Sequence, residues 1–376
     1  MKKILFLSPL PPPHYGSAMS SEMCLGILKN ASRKLKAGRW KPEKLFDVRN
    51  IKLNYSKDMS DVGKINIDKI RGIFYVKKEI KKTIKEFNPD IIYFVPATYS
   101  FGLIRDWIFV REIKKYWKGK ILFHIRSRIL HRTWKNLFGR KFLKDMYVGQ
   151  KAIVLGKELI DDLREMIPKK NIYVLPNAIK NEISEKLLRQ ILLERKKNKQ
   201  FNILFLSNMD RTKGWTKVLD ACKILRNRNF NFRCDFVGGW LDKKDEGYFS
   251  EFIKNNKLDK NVFAHGKKTG KEKNEFLQKA NVLVFPTEYP METFGRVILE
   301  GYMYGIPVIA NGIATIPNII ENRKTGFILK ENSGKEIAHL IDHSVNWKEM
   351  GINGRKKFLK EFEIEKYKDN FLTLFR

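Results

Sequence analysis

Short runs of Val, Ile, Leu and Phe recur along this chain of 376 residues, and the segments between them carry apolar residues at helical spacing. One set of runs lies at 3–8, 90–95, 120–125, 151–155 and 171–175; a second lies at 202–207, 232–238, 261–264, 281–286, 307–310 and 326–329. Strands alternating with helices predict an α/β architecture of two doubly wound parallel sheets, Rossmann-like in plan. The length exceeds one ordinary domain, and an apolar content of 43% supplies two cores. The pattern divides into a domain over 1–180, a charged linker over 181–200 and a domain over 201–359, with a helical segment at about 360–376.

Within the second set, Asn281-Val-Leu-Val-Phe-Pro286 and Pro307-Val-Ile-Ala310 read as successive strands, with a short helix ending at Gly305 between them. Two carboxylates frame the start of that helix. Glu292 falls in the loop before it and Glu300 nearly two turns inside, which at 1.5 Å rise per residue separates them by roughly 10 to 12 Å. The amides of Phe294, Gly295 and Arg296 lack intrahelical partners, so their N–H groups and the helix dipole could hold a diphosphate. Geometry then suggests sugar hydroxyls on Glu292 and ribose hydroxyls on Glu300. A helix capped by one acid, with another on its solvated face, fits the spacing equally well.

The order acid, Phe-Gly, acid, small-residue turn and Gly-x-Pro-Val is supplied by Glu292, Phe294-Gly295, Glu300 and Gly305-Ile-Pro307-Val308, followed by Ile316-Pro317 and Lys324-Thr-Gly326-Phe-Ile-Leu329. Through these motifs residues 201–330 resemble the nucleotide-binding half of the retaining family 4 glycosyltransferases of the GT-B fold. Phe201-Asn-Ile-Leu-Phe-Leu206-Ser-Asn208-Met-Asp-Arg211-Thr-Lys213-Gly214 looks like the first strand of that half and its loop ending in Lys-Gly. The resemblance implies that Lys213 contacts the donor diphosphate, which suits a compact ammonium charge. It also implies that 201–359 bind the nucleotide sugar, that 1–180 bind the acceptor, and that the C-terminal helix packs back on the first domain. Two departures matter. The family often has Arg where Asn208 stands, which leaves phosphate contact to Lys213 or Arg211; it often has Gly-Gly-x-Pro-Glu where this chain has Ala314-Thr-Ile-Pro317-Asn318, so no third carboxylate is assigned.

The first half carries fainter echoes of the plan. Lys3-Ile-Leu-Phe-Leu-Ser8 runs into a Pro/Gly loop containing His14 and Gly16, with a helix expected from Ser17 or Ser20. Gly16 would let backbone approach donor phosphates, or serve a tight turn needing positive φ. Lys120-Ile-Leu-Phe-His124-Ile-Arg126-Ser-Arg128 is a strand ending in His, where the family places a histidine beside the transferred sugar. Strand ends in open α/β sheets are where ligands collect, although an isolated histidine there is often structural. His14, Arg126 and Arg128 are candidate acceptor contacts.

Charge separates the halves: residues 1–200 hold 45 Lys and Arg against 19 Asp and Glu, and residues 201–376 hold 30 against 22. Residues 101–150 interleave 13 basic residues with Trp107, Phe109, Tyr116, Trp117, Trp134, Phe138 and Phe142. Basic residues with aromatics suit an anionic bilayer surface; proteome-wide composition and aromatics buried in the core explain the pattern too. No nucleic-acid-binding motif accompanies the charge, so nucleic acid is not the expected partner. Cys24, Cys222 and Cys234 form neither a disulfide framework nor a metal cluster. Met1-Lys-Lys precedes an apolar run too short for a signal peptide, and no run approaches the ~18 apolar residues of a membrane span. The expectation is a cytoplasmic protein peripheral on the inner membrane face.

These readings imply a retaining glycosyltransferase that moves a hexosyl group from a nucleotide diphosphate sugar to a hydroxyl of a lipid-linked or anionic glycan in cell-surface polysaccharide assembly. No cofactor is expected, and no Asp-x-Asp metal motif occurs. Lys213, Arg211 and helix-terminal amides would neutralise the leaving diphosphate, His124 and Glu292 would orient the sugar, and Glu300 would hold the ribose. Two other readings stay open: a nucleotide-sugar epimerase of the same fold, and a basic membrane or nucleic-acid binding protein that binds no nucleotide sugar.

Overall fold

The computed structural model describes residues 1–12, 16–33, 43–53, 67–98, 100–129, 137–343 and 346–376. The chain divides into two compact units, Met1–Asn177 with Tyr367–Arg376, and Ala178–Lys366. The first unit is built on a parallel sheet of six strands, β1 (Lys2–Ser8), β2 (Phe46–Lys52), β3 (Ile91–Phe94), β4 (Leu122–His124), β5 (Lys151–Val154) and β6 (Ile172–Val174), in the order β2-β1-β3-β4-β5-β6. The second has β7 (Phe201–Leu206), β8 (Phe232–Val237), β9 (Val262–Ala264), β10 (Val282–Phe285), β11 (Val308–Asn311) and β12 (Gly326–Leu329), in the order β9-β8-β7-β10-β11-β12. The central strands are apolar on both faces, as sheets covered by helices on both sides require: Ile4 to Leu7 and Val282 to Val284 are fully buried.

Two elements were not evident from the apolar runs. Phe46-Asp-Val-Arg-Asn-Ile-Lys52 is β2, a strand at the sheet's edge, where only Phe46 and Ile51 are buried and the rest can be polar. The expected linker contains the helix Glu185–Lys197, started by Ser184, whose side chain accepts from the Leu187 N–H at 3.2 Å. Its Leu188 and Ile191 are buried at i, i+3 spacing, and Arg195 donates to the Leu277, Gln278 and Gly305 carbonyls. Arg355 ties this stretch further into the second unit through Asn181, the Ile183 and Met303 carbonyls and Glu185, at 2.8 to 3.1 Å. The last helix, Ile364–Thr373, begins in the second unit and enters the first at Tyr367, where Phe371 and Phe375 pack around Tyr93 at ring distances of 5.8 and 5.9 Å.

Candidate functional site

In the second sheet the chain moves outward from β7 through β8 to β9, then crosses to the other side of β7 to form β10. Ligands of doubly wound sheets collect beyond the carboxyl ends of the two strands that flank such a reversal. The loops leaving those strands are tied together here. The Glu288 N–H donates to the Thr212 carbonyl at 2.7 Å, and a Cβ on Gly214 would stand 2.3 Å from the Pro286 carbonyl oxygen. Gly214 also has φ of 82°, so both space and backbone demand glycine. Just before it, a 3₁₀ turn over Arg211–Lys213 is capped by Asp210, whose carboxylate accepts from the Thr212 N–H at 2.8 Å and its hydroxyl at 2.7 Å. From this turn the Lys213 Nζ donates to Glu292 Oε2 at 2.9 Å and lies 4.0 Å from the Tyr289 ring centroid. The Lys213 and Glu292 side chains retain 17% and 15% of their exposure, so solvent is largely excluded and the charges interact more strongly than in water.

The second oxygen of Glu292, Oε1, accepts from the Gly295 N–H at 3.1 Å. Gly295 has φ of 67° and heads the helix Arg296–Met303. One of the three amides expected to face a diphosphate is therefore engaged by Glu292, and the Phe294 side chain is buried, 6.0 Å from the Phe362 ring. Glu300 is likewise paired: its Oε2 accepts from Lys273, on the helix Gly270–Lys279, at 2.7 Å. Each acid thus has an ammonium group beside it that an anionic ligand could share. Among the described residues no cluster of three or more His, Cys, Asp or Glu side chains could hold a metal ion.

The first unit holds a different polar group at a strand end. His124 closes β4, and its Nδ1 lies 2.6 Å from Tyr93 Oη on the adjacent β3 and 3.4 Å from Arg126 Nη2. A guanidinium only donates, so Nδ1 accepts and the proton of the neutral ring sits on Nε2. Burial, and after it the Arg126 charge, push the His124 pKa well below 6.5, which keeps the ring neutral at neutral pH. His124 is fully buried and its Nε2 has no hydrogen-bond partner. Cys24 Sγ, 3.2 Å from Arg126 Nη2 and 3.0 Å from Tyr367 Oη, continues the cluster. A buried donor left unmade costs about 1–3 kcal/mol.

Similarity to known proteins agrees with this geometry. Residues 189–357 match the family described as Glycosyl transferases group 1. They are a group 1 glycosyltransferase domain. An uncharacterized 41.2 kDa protein in the cps region of Klebsiella pneumoniae is 26% identical over 327 residues, 81% of either chain. The capsular polysaccharide biosynthesis glycosyltransferase CapM of Staphylococcus aureus is 26% identical over 172 residues, 45% of this chain and 44% of CapM. Among solved structures, HepE of Anabaena in complex with UDP and glucose superposes with a TM-score of 0.71 at 14% identity, over 100% of this chain and 99% of HepE. The two sheets with their helices are the GT-B fold of the glycosyltransferases.

The residues singled out by sequence fall in three places. Lys213, Glu292 and Gly295 meet directly, with Arg296 opening the helix behind them and Glu300 inside it. His124 and Arg126 meet in the first unit. The others are engaged elsewhere or stand apart. Arg211 donates to Asp245 at 2.6 Å and stacks 4.9 Å from the Tyr248 ring, so its guanidinium is committed there rather than to the Lys213–Glu292 pair. Asn208 is exposed just after β7, its carbonyl accepting from the Asp210 N–H. Arg128 pairs with Asp162 at 3.4 Å. Gly16 opens the helix Gly16–Asn30. His14 lies outside the described residues. Sequence reasoning missed Tyr93, Tyr289 and Lys273. Tyr93 had a signal, a hydroxyl inside the apolar run 90–95 that must find a partner when buried. Lys273 had none, being one of several lysines on a polar helix.

Proposed function

We propose that this glycosyltransferase moves a hexosyl group from a nucleotide diphosphate sugar to a hydroxyl of a glycan or lipid-linked acceptor in cell-surface polysaccharide assembly, with retention at the anomeric carbon. The observation that carries the reading is the array Lys213, Glu292 and Gly295 N–H where the order of the second sheet reverses. As the bond from the anomeric carbon to the diphosphate oxygen breaks and the acceptor oxygen bonds to that carbon, negative charge grows on the leaving diphosphate, which takes up the acceptor's proton, and Lys213 stabilises that charge where water is largely excluded. Glu292 accepts from sugar hydroxyls and Glu300 from the ribose. The reaction so written uses no metal or cofactor. The names of the relatives support the setting: one belongs to a cps region and another to capsular polysaccharide biosynthesis, and HepE was solved with a nucleoside diphosphate and a hexose. We place the chain on the cytoplasmic face of the membrane, where a lipid-linked acceptor would be; among the described residues no helix is long and apolar enough to cross it.

Thermal shifts with uridine, guanosine and adenosine diphosphates identify the base, after which the matching nucleotide sugar is incubated with and without acceptor. Transfer that requires acceptor, and is lost in Glu292→Gln and Lys213→Met, is the expected result. Epimerised nucleotide sugar formed without acceptor would assign the site to an epimerase. A chain that binds no nucleoside diphosphate would refute the reading.

A further inference from the structure

Large apolar side chains left exposed are informative when they gather on one face. Three of those in the first unit lie together at the start of the helix Ile67–Phe87: Phe74 is 69% exposed, Tyr75 67% and Ile70 43%, while Ile73, Val76, Ile80, Ile84 and Phe87 are buried. The outer side of the same helix continues as Arg71, Lys78, Lys81, Lys82 and Lys85, all exposed. Lys81 and Lys85 stand 5.5 and 5.4 Å from the centroid of Tyr116, which ends the neighbouring helix Ser100–Tyr116, and Lys115 of that helix stands 5.3 Å from it. Among the described residues of this helix Glu86 is exposed, 4.0 Å from Lys82, and Glu79 is half-buried. The aromatics of 101–150 that the sequence marks behave differently: Phe109 is buried, the Trp107 and Phe142 rings meet tilted at 4.7 Å, and the Trp117 Nε1–H donates to the Pro89 carbonyl at 2.8 Å. Trp134 and the Phe138 side chain lie outside the described residues.

We propose that the outer face of the helix Ile67–Phe87 docks the first unit on an anionic lipid bilayer, with Ile70 and Phe74 entering the acyl boundary, Tyr75 at headgroup level and the lysine row on lipid phosphates. The proposal rests on the membrane-borne acceptor of the proposed function and names the surface that would reach it. Apolar anchors beside a Lys/Arg-rich face are the composition of helices that lie in a membrane interface. A nucleic acid would engage the lysines and leave Ile70 and Phe74 in water. A protein partner would cover the apolar residues but gain little from the row of lysines, which protein interfaces disfavour. The unit as a whole is strongly cationic, with 40 Lys and Arg against 17 Asp and Glu, and would be drawn to an anionic surface before any specific contact forms.

The test is co-sedimentation of the full chain with vesicles of phosphatidylcholine alone or mixed with phosphatidylglycerol. The wild type is expected on the mixed vesicles only, and to be released when salt is raised from about 0.1 M to about 1 M, where the screening length falls from about 10 Å to about 3 Å. Phe74→Ser with Tyr75→Ser should weaken binding on the order of 10-fold or more, and Lys78→Glu with Lys81→Glu and Lys82→Glu should abolish the preference for phosphatidylglycerol. All these side chains are exposed, so melting temperature and nucleoside diphosphate binding should be unchanged in both variants. Wild-type binding that survives both sets of substitutions would overturn this surface while leaving the transferase reading intact. No vesicle binding by the wild type, or a wild-type dimer that Phe74→Ser with Tyr75→Ser splits without altering vesicle binding, would overturn it as well.

Discussion

The polar groups beyond the strand ends of the second unit are charged, paired and partly reachable by solvent, whereas those of the first unit centre on a neutral ring that is enclosed and keeps one donor unused. Lys213 and Glu292 have already met the electrostatic cost of burial by pairing, so an incoming diphosphate and sugar need only exchange partners with them. His124 has met the cost by giving up its charge. The first arrangement suits a group whose charge must grow during a reaction; the second suits a fixed hydrogen-bond donor. Charge on one side and shape on the other is a division that substitutions can separate.

The largest expected effect comes from the charged side. Lys213→Ala should cut turnover at least about 100-fold, comparable with removing one donor to transition-state charge. Glu292→Gln should also be costly, and the double variant should lose much less than the sum, because the two side chains contact each other. Turnover at saturating donor, measured for all three, checks both statements; full additivity would mean that the observed pair does not act as a unit. Next in size is Gly214→Ala. A left-handed residue with a side chain costs about 1–2 kcal/mol, and the added methyl would also press on the Pro286 carbonyl. Urea unfolding of the second unit should show a loss of about 2 kcal/mol or more. Turnover should fall too, since this packing joins the loops that carry Lys213 and Glu292.

How much of this was readable in the chain depends on the range of the interaction. Most strands of the two six-stranded sheets are largely buried and announce themselves as apolar runs, and eleven of those twelve strands fall in such runs. The exception, β2, is an edge strand whose residues between Phe46 and Ile51 are half-buried or exposed and can be polar. The helix Glu185–Lys197 was hidden by its charges, although Leu188 and Ile191 carried the helical period. At the site, the spacing of Glu292, Gly295 and Glu300 is local and therefore visible. The pairing of Lys273 with Glu300 spans 27 residues and two helices, and nothing in either segment specifies it. Arg211 shows the converse: its position in the loop was legible, but the Asp245 that captures it lies 34 residues away.

The enclosed side should reveal itself through pH. A histidine held neutral in the native state but titrating near 6.5 when unfolded gives the unfolded chain the extra proton below that pH. Stability contributed in this way is complete above about pH 6.5 and declines as pH falls toward the depressed native pKa, by up to about 1.4 kcal/mol per pH unit. His124→Gln removes the titration, so its stability should fall less steeply between about pH 6.5 and pH 5 than that of the wild type. Equal slopes would mean that His124 is protonated in the folded protein and that its Nε2 is not a neutral donor.

The smallest effect tests whether the charged side is held without strain. Ala314 has φ of 47°, the conformation that makes glycine common in such turns, and the residue after it fastens the loop to the site: the Thr315 hydroxyl donates to the Thr293 carbonyl at 2.6 Å, next to Glu292. Ala314→Gly would relieve about 1–2 kcal/mol of backbone strain in the native state. It would also free the unfolded chain, at a cost of about 0.4–1 kcal/mol. Strain relief outweighs that cost, so a net gain of about 0.5 kcal/mol is expected in urea unfolding, with turnover unchanged. A gain in stability accompanied by a drop in turnover would show that the strained loop helps to position Glu292, and the contrast between the two units would then be one of preorganisation as well as charge.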